Sequence, residues 1–307
     1  MIYSITTNPS LDYYVTCHSF EVGKTNRATE ERVVVGGKGI NISMMLNRMD
    51  IENRSIGFIA GFTGEEILKR LQEAGIDNDF IRTESGFSRI NVKLMNGTLT
   101  EINGIGPWIG AKEVNALAGR ISSVNENDIV VFTGNIPASI DMDAYADLLK
   151  RINERKARLV IDTSGEKLAR SLEQKPFLIK PNLAELEELF HCRISGIKEA
   201  AAYAKKAKDD GASNVIVSLG AEGAILLDEN GHCCHAKSPE IDARNSVGAG
   251  DVLLASFLGE YSATGDIPEA FRYAIAAATL HTRDDAYPSG KEIREYEKQL
   301  QIEEIAI

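Results

Sequence analysis

The sequence predicts an α/β fold: a mostly parallel central sheet with helices on both faces, plus a small β excursion near the start. Three observations predict it. From Asp128 onward, short apolar runs of strand length alternate with helical patterns, and that alternation builds a parallel sheet covered on both sides. Earlier, two alternating runs flank Asn96-Gly97, the strongest short-range hairpin signal. Near the end, Asn245-Ser246-Val247-Gly248-Ala249-Gly250-Asp251 leads straight into Val252-Leu253-Leu254-Ala255-Ser256-Phe257, a tight turn feeding a buried helix.

The elements follow in order. Ile2 to Thr7 is a short buried strand ended by Asn8-Pro9. Asp12 lies in a second stretch that reaches Thr16, and Arg32 to Val35 is a third. Gly36-Gly37-Lys38-Gly39 then opens a helix with Ile40, Met44, Met45 and Met49 on its apolar side. Ser55 to Ala60 reads as a strand and Gly64 to Ala74 as a helix. Ser88 to Leu94 and Thr98 to Ile102 are the hairpin arms. Strands follow at Asp128 to Phe132, Arg158 to Ile161, Phe177 to Ile179 and Asn214 to Leu219. Helices lie at Met142 to Asn153, Leu183 to Phe190 and Glu199 to Asp209. Ala224 to Leu227 and His232 to Ala236 form a second hairpin. Its run His232-Cys233-Cys234-His235 sends successive side chains to opposite faces, so it reads as plain strand, not a zinc site. The last helices cover Val252 to Tyr261, Pro268 to Thr282 and Lys291 to Leu300. The antiparallel pieces, near 10–18, 30–36 and 87–103, read as an excursion from one domain spanning 1–307.

Composition narrows the function. At 307 residues, 43% hydrophobic and 26% charged, the chain is long enough for a sizeable core. A net charge of −11 argues against nucleic acid or an anionic membrane as partner, and an anionic substrate then needs a locally basic pocket. Four cysteines, at 17, 192, 233 and 234, show no disulfide framework and fit a reducing cytoplasm. The N-terminus carries no signal-peptide pattern, and no stretch approaches the roughly 18 apolar residues of a membrane span.

Five constellations could carry chemistry. The first turn of a helix has free N–H groups and a partial positive charge, so the Gly248-Ala249-Gly250 turn could hold an anion. Asp251 beside it could act as general base on a hydroxyl that attacks a phosphoryl group; the plainer reading is an acidic residue stabilising a helix dipole. Gly36-Gly37-Lys38-Gly39-Ile40-Asn41 could grip a small polar ligand, and is neither a Walker A loop nor a dinucleotide fingerprint. Arg89, Asn91 and Lys93 share one face of a strand and could clamp a phosphate, or merely form a solvated face. Asn182 and Glu185, at a strand's carboxyl end, could hold Mg²⁺ through waters, or simply form a helix cap. Ser218 to Gly223, at another strand end, has glycines at 220 and 223 that would let a nucleotide lie close to the backbone, or would only form a turn.

Taken in order along the chain, these motifs resemble the ribokinase-type sugar kinases of the phosphofructokinase B group. The matching stretches are Thr7-Asn8-Pro9 with Asp12, Gly36 to Asn41, Arg89 to Lys93, Ile161 to Gly165, Lys180-Pro181-Asn182 with Glu185, Ser218 to Gly223 and Val247 to Asp251. Within the group, the strand Arg89-Ile90-Asn91-Val92-Lys93 leans toward the members that act on fructose 1-phosphate, with tagatose-6-phosphate kinases next.

The resemblance implies a ribokinase-like fold with the early strands as a β lid. It implies ATP near Lys180, Ser218, Gly220, Glu222 and Gly223, with Mg²⁺ placed through water by Asn182 and Glu185. It implies sugar phosphate between lid and main domain, near Asp12, Gly37, Lys38, Asn41, Arg89, Asn91 and Lys93. Asp251 becomes the base, and the amides of Gly248, Ala249 and Gly250 the anion hole. A homodimer through the lid is the expected oligomer. The chain departs from the group's pattern at Gly134 to Ser139, at Ser256 and at Asp284 to Gly290. The rival readings are a non-catalytic sugar-phosphate sensor on a kinase scaffold and a nicotinamide enzyme, the latter lacking its fingerprint.

Overall fold

The computed structural model describes residues 1–239 and 241–306. The chain opens with β1 (Ile2–Thr6), β2 (Ser10–Thr16), β3 (Glu30–Gly36), α1 (Lys38–Arg48), β4 (Asn53–Ile59), α2 (Gly61–Glu73) and β5 (Asn78–Arg82). Next come β6 (Arg89–Asn96), β7 (Thr98–Ile102), α3 (Ala111–Ile121), β8 (Ile129–Thr133), α4 (Met142–Glu154), β9 (Arg158–Asp162) and α5 (Gly165–Leu172). Then follow β10 (Leu178–Ile179), α6 (Leu183–Phe190), α7 (Ile197–Asp209), β11 (Asn214–Ser218), β12 (Ala224–Leu227) and β13 (Cys233–Ala236). The last are α8 (Ala249–Thr264), α9 (Ile267–Asp284), α10 (Gly290–Tyr296) and β14 (Ile302–Glu304).

Ten strands form the main sheet, in the order β14-β13-β12-β11-β10-β9-β8-β1-β4-β5. The run from β11 to β5 is parallel throughout, and β12, β13 and β14 add an antiparallel edge. Side chains on a strand alternate between faces, and the core divides accordingly. Val130 and Phe132 of β8 pack with Leu117 of α3, Tyr145 of α4 and Ala204 of α7 on one face. Ile129 and Val131, one residue out of step, pack with Met45 of α1, Leu254 of α8 and Ile275 of α9 on the other. Strands buried on both faces need continuous apolar runs, which is why the parallel strands other than β5 are readable as such.

Four early strands form a second sheet, in the order β3-β2-β6-β7. Asn96 pairs with Thr98, leaving Gly97 alone at the hairpin tip. Its outward Leu11, Val33 and Val35 pack with Ile40 of α1 and Ile67 and Leu71 of α2, which fixes the sheet against the main body. Several elements lay outside the sequence reading: β5, α3, α5 and β14. Helix α8 also begins earlier than expected, at Ala249, and α10 ends earlier, at Tyr296. The His232 to His235 run is strand: His235 Nε2 lies 2.7 Å from the carbonyl oxygen of Glu222, and all four cysteines are free. Among the described residues, no helix is long and apolar enough to cross a membrane.

Candidate active site

Open parallel sheets place ligands at the carboxyl ends of their strands. Here that edge presents Thr6 of β1, Thr133 of β8, Asp162 of β9 and Ser218 of β11, with Lys180 just beyond β10. Thr6, Thr133, Lys180 and Ser218 border a cavity of about 570 Å³, while Asp162 is buried outside its lining. The second sheet forms another wall with Asp12, Arg89, Asn91 and Lys93. The starts of α1, α6 and α8 supply Gly37, Lys38 and Asn41, then Asn182 and Glu185, then Gly248, Gly250 and Asp251. Of the residues singled out from sequence, only Ala249, Gly220, Glu222 and Gly223 fall outside this lining.

Asp251 sits in the first turn of α8, 6% exposed. Asn41 donates to its Oδ2 at 2.7 Å, which fixes the carboxylate from the side of α1. Burial, followed by the charge of Asp162, pushes its carboxyl up to about 6, against the pull of Asn41, Lys38 and Lys180. Gly248 takes the left-handed conformation at φ 82° that lets the turn enter the helix. The amide of Ala249 donates to the carbonyl of Ser246 at 3.2 Å, and that of Asp251 to Gly248 at 2.9 Å. Among the described residues, the amides of Gly248 and Gly250 meet no protein acceptor.

Asp162 holds two cations beside this turn. Its Oδ1 lies 3.1 Å from Lys180 Nζ and 3.3 Å from Lys38 Nζ, and Thr133 donates to Oδ2 at 3.1 Å. Burial alone would raise its carboxyl; the two lysines and the hydrogen bonds outweigh that and hold it below the usual range. Lys38 shows the mirror effect. Burial would lower its ammonium, but Asp162, Glu185 and Asp251 keep it above its ordinary value. A Cβ placed on Gly250 would stand 3.2 Å from Lys180 Nζ, so this ammonium borders the free amides.

The wall of the second sheet is polar and mostly self-satisfied. Asn91 Nδ2 donates to Asp12 Oδ1 at 2.7 Å and to Ser10 Oγ at 3.1 Å, while its Oδ1 accepts from the amide of Gly104. Asn91 therefore orients Asp12. Arg89 donates from Nε to the carbonyl of Asn8 at 3.0 Å, leaving its other nitrogens for the cavity. Lys93, 6% exposed, pairs with Glu101 Oε1 of β7 at 2.7 Å. A phosphate at Lys93 would compete with Glu101, which the sequence reading did not single out.

Asn182 and Glu185 form the reciprocal cap that opens α6. The amide of Asn182 donates to Glu185 Oε2 at 2.8 Å, and that of Glu185 to Asn182 Oδ1 at 2.9 Å. Glu185 Oε1 is turned toward Lys38 at 3.8 Å. Among the described residues no three His, Cys, Asp or Glu side chains gather as a metal ligand set. One carboxylate oxygen at the cavity fits an ion carried mainly by waters and phosphates, as Mg²⁺ commonly is. Gly223 has a local reason of its own: a Cβ there would collide with the carbonyl oxygen of Ala236, so strand β13 already fills the space beside it. Gly220 opens onto free space.

The pattern of the pfkB family carbohydrate kinases matches residues 5–286. The chain belongs to that family. As a pfkB kinase it is a phosphotransferase with an alcohol acceptor. It is 42% identical to the 1-phosphofructokinase of Bacillus subtilis, over 91% of each chain. It is 32% identical to the D-tagatose-1-phosphate kinase of Bacillus licheniformis, over 98% of this chain and 99% of that one. The fold superposes on the crystal structure of phosphofructokinase-2 from Escherichia coli in complex with substrates and products, with a TM-score of 0.90, 23% identity, and 97% and 98% coverage.

Besides Glu101, two groups at this pfkB site went unassigned from sequence. Asp162 closes a buried strand, where a lone charged residue ending an apolar run was the available signal. Thr6, 3% exposed, has a hydroxyl without a partner at the cavity edge. Of the family departures, Asn135 lines the cavity, Ser139 Oγ accepts from the amide of Ile109 at 3.0 Å, and Ser256 buries a hydroxyl with no partner.

Proposed function

We propose that this kinase transfers the terminal phosphoryl group of ATP to the C6 hydroxyl of fructose 1-phosphate, giving fructose 1,6-bisphosphate. One observation carries the reading. A single buried carboxylate, Asp251, with its proton affinity raised into the working range, faces the cavity beside two free helix-start amides and the Lys180 ammonium.

The chemistry follows from that arrangement. The sugar hydroxyl gives its proton to Asp251 as it attacks phosphorus, and the carboxylate held by Asn41 is aimed to receive it. Negative charge on the transferring group is met by the amides of Gly248 and Gly250, with Ala249 completing the turn. Lys180 and Lys38, kept in place by Asp162, add positive charge. Mg²⁺ held through water by Asn182 and Glu185 would neutralise the nucleotide phosphates. Ser218, Gly220, Glu222 and Gly223 form the nucleotide side. The second sheet acts as lid: its Asp12, with Asn41 of α1, meets ring hydroxyls, and its Arg89 and Lys93 take the sugar's phosphate. Catalysis is then mainly positioning and charge stabilisation.

A second reading concerns the sugar alone. The tagatose relative is named for a 1-phosphate, not the 6-phosphate weighed from sequence. Tagatose 1-phosphate differs from fructose 1-phosphate only at C4 and presents the same C6 hydroxyl. The test compares kcat/KM for fructose 1-phosphate, tagatose 1-phosphate, tagatose 6-phosphate, fructose 6-phosphate and free fructose with ATP and Mg²⁺. Preference for free fructose would overturn the phosphate clamp. Binding of a sugar phosphate with no ADP release would leave the sensor reading standing. We also infer a homodimer through the lid, where Ile90, Met95, Leu99 and Ile102 are exposed. Sedimentation of the protein and of a Leu99→Asp, Ile102→Asp variant tests it.

A further inference from the structure

His281 takes no part in the reaction set out above, yet it lies directly against the turn that does. The side chain is buried in the last turn of α9. Each ring nitrogen faces a backbone carbonyl: Nε2 is 3.0 Å from the oxygen of Val247, and Nδ1 is 3.0 Å from the oxygen of Ala286. A carbonyl oxygen can only accept. A neutral imidazole donates from one nitrogen and offers a lone pair on the other. One of the two contacts would then press two lone pairs together at hydrogen-bond distance. A ring protonated on both nitrogens satisfies both carbonyls.

The surroundings favour that charge. The end of a helix carries partial negative charge within its last turn, which stabilises a cation there. Tyr287 stacks on the imidazole with ring centroids 5.5 Å apart, and an aromatic face attracts a cation. Asp285, at the end of α9, is already engaged by Asn245 at 2.7 Å and by Arg32 of β3 at 3.7 Å. Asp251 lies beyond Gly248 on α8. Arg244 is exposed, and Arg283 is paired with Asp284 on the outer side.

The carbonyl of Val247 and the amide of Gly248 are two ends of one planar, trans peptide. Whatever fixes the oxygen fixes the N–H, pointing the opposite way. A cation on that oxygen also polarises the peptide and makes its N–H a stronger donor. We propose that His281 is a positioning residue held as an imidazolium, which clamps the carbonyl of Val247 and so aims and strengthens the Gly248 amide of the anion hole. This rests on the reading of the 248–250 turn as that hole.

The test reads the ring itself, without substrate. Long-range proton–nitrogen spectra of the ¹⁵N-labelled protein at neutral pH report the five histidine rings, and His281 is assigned by the signals that vanish in His281→Gln. If that variant fails to fold, assignment through the ring-to-backbone correlations of the wild type serves instead. The expected result is a proton on both nitrogens of His281. In His281→Gln, kcat should then fall by about 10²-fold, the cost of a displacement of roughly 1 Å at a reacting centre, with KM for ATP nearly unchanged. A neutral ring in an active enzyme overturns the proposal for His281 alone. Wild-type kcat in a folded His281→Gln overturns it too. A charged ring in a protein that phosphorylates no sugar overturns the reading of the turn, and the positioning role with it.

Discussion

Replacing Asp251 with Asn should stop the reaction and stabilise the protein at the same time. The substitution keeps the side chain's shape, and the Asn oxygen can still accept from Asn41 Nδ2. It removes a charge that is buried and sits near Asp162. The size of the gain follows from the carboxyl's shift. Its affinity for a proton rises from the ordinary 3.8 to about 6 on folding. At about 1.4 kcal/mol for each tenfold change, the charged form costs the folded protein about 3 kcal/mol. The sign is fixed by linkage: the folded state binds this proton more tightly, so the penalty is complete above pH 6 and absent below the unfolded value. Asp251→Asn should therefore unfold on the order of 5 °C higher than wild type at about pH 8, and the gap should close as the pH approaches 4. Thermal scans of the two proteins across that range measure it. A variant less stable than wild type at about pH 8, or a gap that does not narrow in acid, would refute the buried-charge argument. Turnover should fall by about 10²–10⁴-fold, and near-normal turnover would refute the assignment of the base. For the wild type, kcat/KM should decline as pH falls through 6, because the base is then protonated.

Four further outcomes follow from the same geometry. Asp162→Asn leaves the buried Lys180 without its anion and takes from Lys38 the nearer of its two carboxylate partners. Denaturant unfolding should show a loss of roughly 3–5 kcal/mol; a loss within experimental error would mean the lysines find other partners. Gly250→Val puts a side chain against Lys180 Nζ and over a free amide, so kcat should drop by about 10²–10³-fold in a protein whose circular dichroism is unchanged. Lys93→Ala should weaken the sugar phosphate by roughly 1.5–3 kcal/mol with little change for ATP, as separate KM values will report. Glu101→Gln should do the opposite and lower KM for the sugar phosphate, since it frees Lys93; a raised KM would show that Glu101 positions the lysine instead of competing for it.

Apart from β5, the parallel strands and the second sheet were legible in the sequence because burial writes itself into side-chain pattern. A strand such as β8, covered on both faces, has to be apolar throughout. The inner face of β6 shows as alternating Arg89, Asn91 and Lys93. Strand β5 was missed because only Phe80 and Ile81 within it are buried, too few to set a period. Strand β14 is short and acidic, and it exists because β13 offers an open edge. In the site, the residues before and after a glycine turn could be named, but their partners could not. Asp162 meets Lys180 and Lys38 only after three separate strand ends and helix starts converge. The contacts of His281 are backbone carbonyls, which carry no residue-type signal at all. The Asn182–Glu185 pair shows the reverse limit: its spacing predicted both a cap and a metal position, and the cap geometry leaves one carboxylate oxygen for the other role.

Ten consecutive residues of α8, Asp251 to Glu260, are buried. A helical stretch with no wet face cannot open piecemeal, so the amides of this stretch, unlike those of the exposed last turn, should exchange with solvent only when the whole molecule unfolds. The proposed base is thus mounted on a segment covered on every side. Any rearrangement that admits substrates and releases products has to come from the opposite wall, whose strands carry exposed side chains and few buried ones. The tempo of the catalytic cycle is then a property of that outer sheet, and amide exchange measured with and without ligand should change there while α8 keeps still.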